Sequence, residues 1–384
     1  MHTRLLLVLA LLSATLMARH GAASAAPPLS AEAQLGRALF FDATLSASGH
    51  LACASCHDPA NAYAAPRLAP AVLRPPPSLR YLDQVPRFSR HQYGVSSDDA
   101  EDVGPGGGLM WDGRADELGA QALLPLLDPR EMANRDVHAL ARRLRAGAQA
   151  ERARGLWGSA LDDDGRVAEL TAAALARFEV EDPSFHPYDS RFDRYLQGKE
   201  SLNAQERRGL ELFNAAAKGN CAECHPSAPG PGGRPPAFTD YRFVALGVPR
   251  NPALPANRDA RFYDLGLCGP PRTDLVREGR EYCGLFRTPS LRNVARRASF
   301  FHNGRFARLE DVLHFYVERD LAPARWYRRR AGSVERYDDL PPADRANVDR
   351  SDPPFDRTVG EAPALNDAEI ADVIAFLKTL SDRS

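Results

Sequence analysis

Two pentapeptides hold the residues best placed to do chemistry, Cys53-Ala54-Ser55-Cys56-His57 and Cys221-Ala222-Glu223-Cys224-His225. The CxxCH spacing lets two thiols form thioethers with the vinyl groups of one haem while the adjacent imidazole reaches the iron. Two covalently bound haem c groups are therefore expected, with His57 and His225 as their proximal iron ligands. A redox dithiol or half of a zinc site also uses CxxC. That alternative needs a chance histidine after the second cysteine twice, in a chain with six cysteines. The remaining two, Cys268 and Cys283, are expected to form a disulfide closing a loop of about 15 residues, worth roughly 3 kcal/mol.

Compartment and size follow from the rest of the chain. Residues 1–25 read as a secretory signal peptide, with Arg4 before an apolar run from Leu5 to Ala18 and small residues at Ala23-Ser24-Ala25. The expected product is periplasmic and carries no membrane span, with an uncleaved N-terminal anchor as the alternative. The formal net charge is −1, and loss of Arg4 and Arg19 with the leader makes the product more acidic. Nucleic acid is excluded as a partner, because no basic surplus exists to neutralise phosphates. The cluster Arg325, Arg328, Arg329 and Arg330 reads as a solvated face.

About 360 mature residues exceed what a single core usually holds. An internal repeat says where they divide. Leu29-Ser30-Ala31-Glu32, then Gly36, Leu39 and Phe40, matches Leu202-Asn203-Ala204-Gln205, then Gly209, Leu212 and Phe213, and each copy leads into its CxxCH. Ser30 and Asn203 are N-cap candidates for short amphipathic helices. The expected units are an N-terminal haem domain over 26–190 and a C-terminal one over 191–384, with 181–201 as the crossing. Helical spacing recurs at 116–124, 136–145, 167–178 and 309–317, and again at 367–380, where Asn366 and Glu369 offer a capping box. Pro75-Pro76-Pro77, the acidic run 98–102, Gly106-Gly107-Gly108 and Pro226 to Pro236 mark loops. The fold class is mainly α: two cytochrome c-like haem domains with long Pro/Gly-rich loops.

Function turns on what faces each iron opposite its histidine. After the leader the chain contains only Met110 and Met132, so the second haem has no methionine in its own domain. Its ligand candidates are His302, His314 and Tyr316. On the helix over 309–317, Leu309, Val312, Leu313 and Tyr316 share one face and His314 lies off it. A buried tyrosine that only packs is the plain alternative.

Together with the CxxCH pairs, Trp111-Asp112-Gly113-Arg114, Gln121 with Pro125 and Glu131, Pro289-Ser290-Leu291-Arg292-Asn293 and Phe301-His302-Asn303-Gly304 resemble the bacterial dihaem cytochrome c peroxidases, including their MauG branch. The resemblance spans nearly the whole mature chain. It implies that the N-terminal haem is the peroxide site and that Glu131 is its distal acid, moving a proton as the O–O bond breaks. It implies Gln121 as a distal neighbour and Trp111 as an electron relay between haems. His302 corresponds to a histidine that contacts a haem propionate. Tyr316, 14 residues further on, stands where the peroxidases carry an axial Met and the MauG branch an axial Tyr.

The sequence also departs from that pattern. Many of these peroxidases carry a displaceable distal His 16 residues after the first haem-binding His, and here that position is Leu73. The first haem is then open unless His50 or His91 folds back onto it. The family's interdomain calcium site uses an Asn that aligns with Tyr81, which places calcium in question. The reading is a periplasmic dihaem peroxidase that reduces hydrogen peroxide to water with electrons from a small cytochrome c or cupredoxin, and that can form a homodimer. Its alternatives are a MauG-like oxidase of partner-protein tryptophans and a dihaem electron carrier without peroxide chemistry.

Overall fold

The computed structural model describes residues 27–66, 72–92, 104–277 and 279–383. The leader expected at 1–25 and the acidic run at 98–102 lie outside the described residues. Among these residues the fold is mainly α, with two-residue strands only: β1 (Phe243–Val244) pairs antiparallel with β2 (Phe286–Arg287), and β3 (Arg329–Arg330) with β4 (Ser333–Val334).

The N-terminal half contains α1 (Ala31–Phe40), α2 (Cys53–Cys56), α3 (Leu118–Leu127), α4 (Val137–Ala146), α5 (Ala150–Trp157) and α6 (Asp164–Glu181). After α7 (Arg191–Leu196), the C-terminal half repeats the plan with α8 (Ala204–Asn214), α9 (Cys221–Cys224), α10 (Leu309–Glu318), α11 (Pro323–Trp326) and α12 (Asp367–Lys378). The sequence pattern missed α5 and α7. The latter starts inside the segment read as a crossing, where Ser190 and Asp193 form a capping box.

Each half is built on one helix crossing. The Ser30 hydroxyl accepts from Ala33 N–H at 3.1 Å and caps α1, while Ser30 N–H donates to Glu181 at 2.8 Å, tying the start of α1 to the end of α6. In the other half, Asn203 with Glu206 and Asn366 with Glu369 form capping boxes on α8 and α12. The crossings are close enough to require glycine. A Cβ on Gly36 would lie 1.8 Å from the carbonyl oxygen of Ala174, and one on Gly209 would lie 2.0 Å from that of Asp372. Aromatic edges lock both: Phe40 meets Phe178 with ring centroids 5.6 Å apart, and Phe213 meets Phe376 at 5.1 Å. Two separate apolar clusters surround these contacts, one formed by residues between Leu35 and Phe185 and the other by residues from Phe192 to Leu380.

Two copies of a Pro-Ser-Leu-Arg motif lie where the halves meet. Arg80, in Pro77-Ser78-Leu79-Arg80, crosses to Asp382 at 2.9 Å; Arg292, in Pro289-Ser290-Leu291-Arg292, pairs through both Nη atoms with Asp193 of its own half at 2.9 and 2.8 Å and lies 4.8 Å from the Tyr81 ring of the other. Tyr81 and Asn293 also donate to Asp382, at 2.7 and 2.5 Å. The carboxylate near the chain's end thereby holds both halves together. The expected disulfide between Cys268 and Cys283 is present.

Candidate functional site

The two CxxCH motifs fold alike. Each cysteine pair spans a single helical turn, α2 or α9, and the histidine follows as its C-cap. His57 Nδ1 lies 3.0 Å from the carbonyl of Tyr63 and His225 Nδ1 lies 2.8 Å from that of Phe238. A carbonyl only accepts, so Nδ1 carries the proton, which leaves Nε2 of His225 its lone pair for a metal; the His57 imidazole also faces a second carbonyl, that of Pro77. Burial lowers both imidazole pKa values, which favours the neutral, ligating form. Both carbonyls belong to non-glycine residues in left-handed conformation, Tyr63 at φ 55° and Phe238 at φ 53°. Backbone strain of this kind gathers at functional sites.

All four thiols are free. Burial, then the neighbouring Glu179 carboxyl, pushes Cys53 up to about 12, and burial alone does the same to Cys221. Burial followed by Asp240 raises Cys224 to about 12, and burial followed by Glu131 raises Cys56. A redox dithiol works through thiolates with lowered pKa, and burial acts on these thiols in the opposite direction.

A cavity opens beside the second motif, with Cys221, Cys224, His225, His302 and Tyr316 on its wall. Its donor set, two thiols and an imidazole with apolar side chains around them, fits a haem. The face expected for α10 is the one that lines it: Leu309, Val312, Leu313 and Tyr316 all reach the cavity. Phe315, unanticipated, is fully buried on the opposite side. Burial raises the Tyr316 phenol, with the nearby Cys224 and Cys221 adding to the shift. Its ring lies between Phe301 at 5.9 Å and Phe355 at 5.4 Å. His314 instead bonds Glu318 one turn along its own helix at 3.1 Å. His302 stacks on Phe286, with centroids 3.5 Å apart, and its Nε2 lies 3.3 Å from Asp339.

Trp111 reaches the same cavity from the N-terminal half, its indole N–H donating to the Pro75 carbonyl at 2.9 Å. Its neighbour Asp112 accepts from Arg74 at 2.8 Å, and Arg74 forks onto Asp264 with two bonds of 2.7 Å. The loop carrying Leu73 is thereby bonded to the C-terminal half. Leu73 is itself buried, whereas His50 and His91 are exposed.

Glu131 sits in the turn after α3, half-buried, with its backbone N–H on the Asp128 carbonyl at 3.0 Å. Among the described residues its carboxyl makes no hydrogen bond to the protein. Burial and then Asp128 raise its pKa, against the opposing pull of Arg114 and Arg130. Gln121 is buried and its amide donates to the Met110 sulfur at 3.6 Å, a contact that gives it a structural partner.

Sequence reasoning overlooked Glu179. Its position falls five residues beyond Ala174, as Leu377 falls five beyond Asp372, so the repeat could have found it. Leu377 lines the large cavity, whereas Glu179 is 6% exposed with Oε2 unpartnered, and burial pushes its pKa up to about 8.

Two CxxCH units in one mainly helical chain have the make-up of a dihaem protein of the cytochrome c type. A profile of the di-haem cytochrome c peroxidases matches residues 30–201. The MauG methylamine utilization protein of Paracoccus denitrificans is 32% identical, across 94% of this chain and 91% of its own length. The chain therefore belongs to the dihaem cytochrome c peroxidase and MauG family, whose members use haem as cofactor. The cytochrome c551 peroxidase of Nitrosomonas europaea is 28% identical over 73% of this chain and 71% of its own. Among solved structures, the diheme peroxidase BthA of Burkholderia thailandensis superposes with a TM-score of 0.82 at 38% identity, covering 93% of this chain and 87% of that one. Among the described residues no helix is long and apolar enough to cross a membrane.

Proposed function

We propose that this chain is a periplasmic dihaem peroxidase, with haem c attached at Cys53/Cys56 and Cys221/Cys224, that reduces hydrogen peroxide to water using electrons from a small cytochrome c or cupredoxin. Its units are taken as 26–190 and 191–384. His57, Cys53 and Cys56 would hold a haem, which would supply the redox-active iron for peroxide reduction. Glu131 carries the reading: a half-buried carboxyl without a protein hydrogen bond, close enough to the first motif to perturb Cys56. Its raised pKa suits it to take a proton from one peroxide oxygen and deliver it to the departing one. Leu73 offers no atom that could bind iron, and His50 and His91 face solvent. Gln121 orients the distal side through its bond to Met110. Trp111, on the cavity of the second unit, is the residue placed to pass electrons between units. Tyr316 is the ligand candidate opposite His225, and its phenol oxygen makes no hydrogen bond to protein among the described residues.

The test is Glu131→Gln. The variant should bind two haems as the native chain does, yet react with peroxide on the order of 10²–10⁴ times more slowly in stopped flow. An unchanged rate removes Glu131 from the reaction.

Tyr316 favours a second reading, a MauG-like oxidase that draws electrons from tryptophans of a partner protein, since an anionic oxygen ligand favours oxidised iron. Steady peroxide consumption with a reduced small cytochrome as sole donor supports the first reading. Consumption only in the presence of a particular protein, which is itself altered, supports the second.

A further inference from the structure

A second, smaller cavity lies between the halves, beside Tyr81. Four arginines reach it: Arg80, Arg287, Arg292 and Arg297. Two have counter-charges, since Arg80 pairs with Asp382 and Arg292 with Asp193. Arg287 and Arg297 have none: no carboxylate lies within ion-pair distance of either among the described residues. Arg287 is 8% exposed and donates from Nε to the Met110 carbonyl at 3.1 Å. Arg297 donates one Nη to the Ser290 carbonyl, and its buried Nε has no partner.

Both arginines also line the large cavity beside His225, so they form part of the wall that separates the two spaces. Burial lowers each guanidinium to about 10; for Arg297 the like charge of Arg287 adds to the shift, while for Arg287 Tyr241 and Asp112 pull the other way. A buried guanidinium with no carboxylate in ion-pair reach is costly, and two near one another more so. The deficit calls for a ligand with two carboxylates presented from the large cavity. Haem has that chemistry in its pair of propionates, and a planar guanidinium matches a carboxylate bidentately.

The same inventory bears on calcium. A calcium site needs six to eight oxygen ligands, from carboxylates, carbonyls and waters, and a surrounding field that favours a divalent cation. Here guanidinium donors line the cavity, and the Tyr81 hydroxyl is committed to Asp382. The residues present do not fit a divalent cation.

We propose that Arg287 and Arg297 bind the propionates of the haem held by His225, and that this pair of fixed positive charges stands in place of an interdomain calcium ion. The proposal rests on the reading that Cys221, Cys224 and His225 carry a haem, which a haem count of two per chain checks separately. A count of one, with Cys221 and Cys224 free, would overturn both.

The experiment is a spectroelectrochemical titration of the full-length holoprotein. Removing a positive charge beside a haem favours ferric over ferrous iron, so Arg297→Met should lower one of the two potentials by about a tenfold change in the ferrous-to-ferric ratio, ~59 mV for one electron. Arg297→Lys should recover most of that change, and Arg287→Met should move the same potential in the same direction. Calcium by elemental analysis of the dialysed native protein should fall well below one per chain, and added calcium or chelator should leave both potentials in place. Unmoved potentials in both Met variants overturn the assignment. So does stoichiometric calcium, or a tenfold shift of the native potential by inorganic phosphate, which would show a free anion on these arginines.

Discussion

The two halves use one scaffold to opposite ends. Each crosses two helices at a glycine, each fixes a CxxCH histidine on a carbonyl from a left-handed residue, and each locks the crossing with a pair of phenylalanines. They differ in what surrounds the imidazole. Beside Cys53 and Cys56 of the first motif lie two carboxyls, Glu131 and Glu179. Around His225 lie the phenol of Tyr316, aromatic rings and Arg297. The comparison teaches that the two halves hold the histidine in the same way and differ in the charge around it; on the proposed function, those surroundings divide the labour.

The sharpest way to break that comparison is to remove one attachment site at a time. Cys221→Ala with Cys224→Ala should leave one haem per chain by haemochromogen assay and retain binding of peroxide. Cys53→Ala with Cys56→Ala should also leave one haem and abolish peroxide reactivity. Equal reactivity in the two double variants would end the division of labour.

Glu179 gives a smaller effect. Its pKa is raised in the fold to about 8, so the folded chain holds a proton that the unfolded chain releases. Its contribution is fully present below the unfolded value of 4.5, and stability is then lost as pH rises through 8. Glu179→Gln removes that slope, a difference on the order of 3 kcal/mol near pH 7. Denaturant unfolding at pH 5 and pH 8 reads it directly. Parallel pH dependences in the native chain and the variant would contradict the burial of an uncompensated carboxyl.

The smallest effect tests the likeness rather than the difference. Gly36→Ala and Gly209→Ala each push a methyl group into a backbone carbonyl and should cost about 1–3 kcal/mol apiece. Thermal or denaturant unfolding should show similar losses. A large loss at one glycine and none at the other would mean that the two crossings are not equivalent.

Much of this was legible in the chain. CxxCH is a local spacing, and its geometry is set within one helical turn. The Asn366 and Glu369 capping box is likewise decided by neighbours three residues apart, and α12 begins where it predicts. The missed helices show the limit. α5 has no side-chain cap, and α7 is six residues long and set among prolines and turns, so neither announces itself by periodicity. Glu179 was missed for a related reason, since a charged residue on a helix reads as solvated until its neighbours are known.

By itself the sequence determined the two CxxCH turns, the duplicated cap-helix-motif unit and the helical class, because each depends on residues close together along the chain. Tertiary structure alone decided which groups face those motifs. Arg74 meets Asp264 across 190 residues, Tyr316 meets the cavity of Cys221 and Cys224, and Arg287 and Arg297 find no carboxylate. Charge compensation and burial are sums over three-dimensional neighbours, and no one-dimensional pattern contains them.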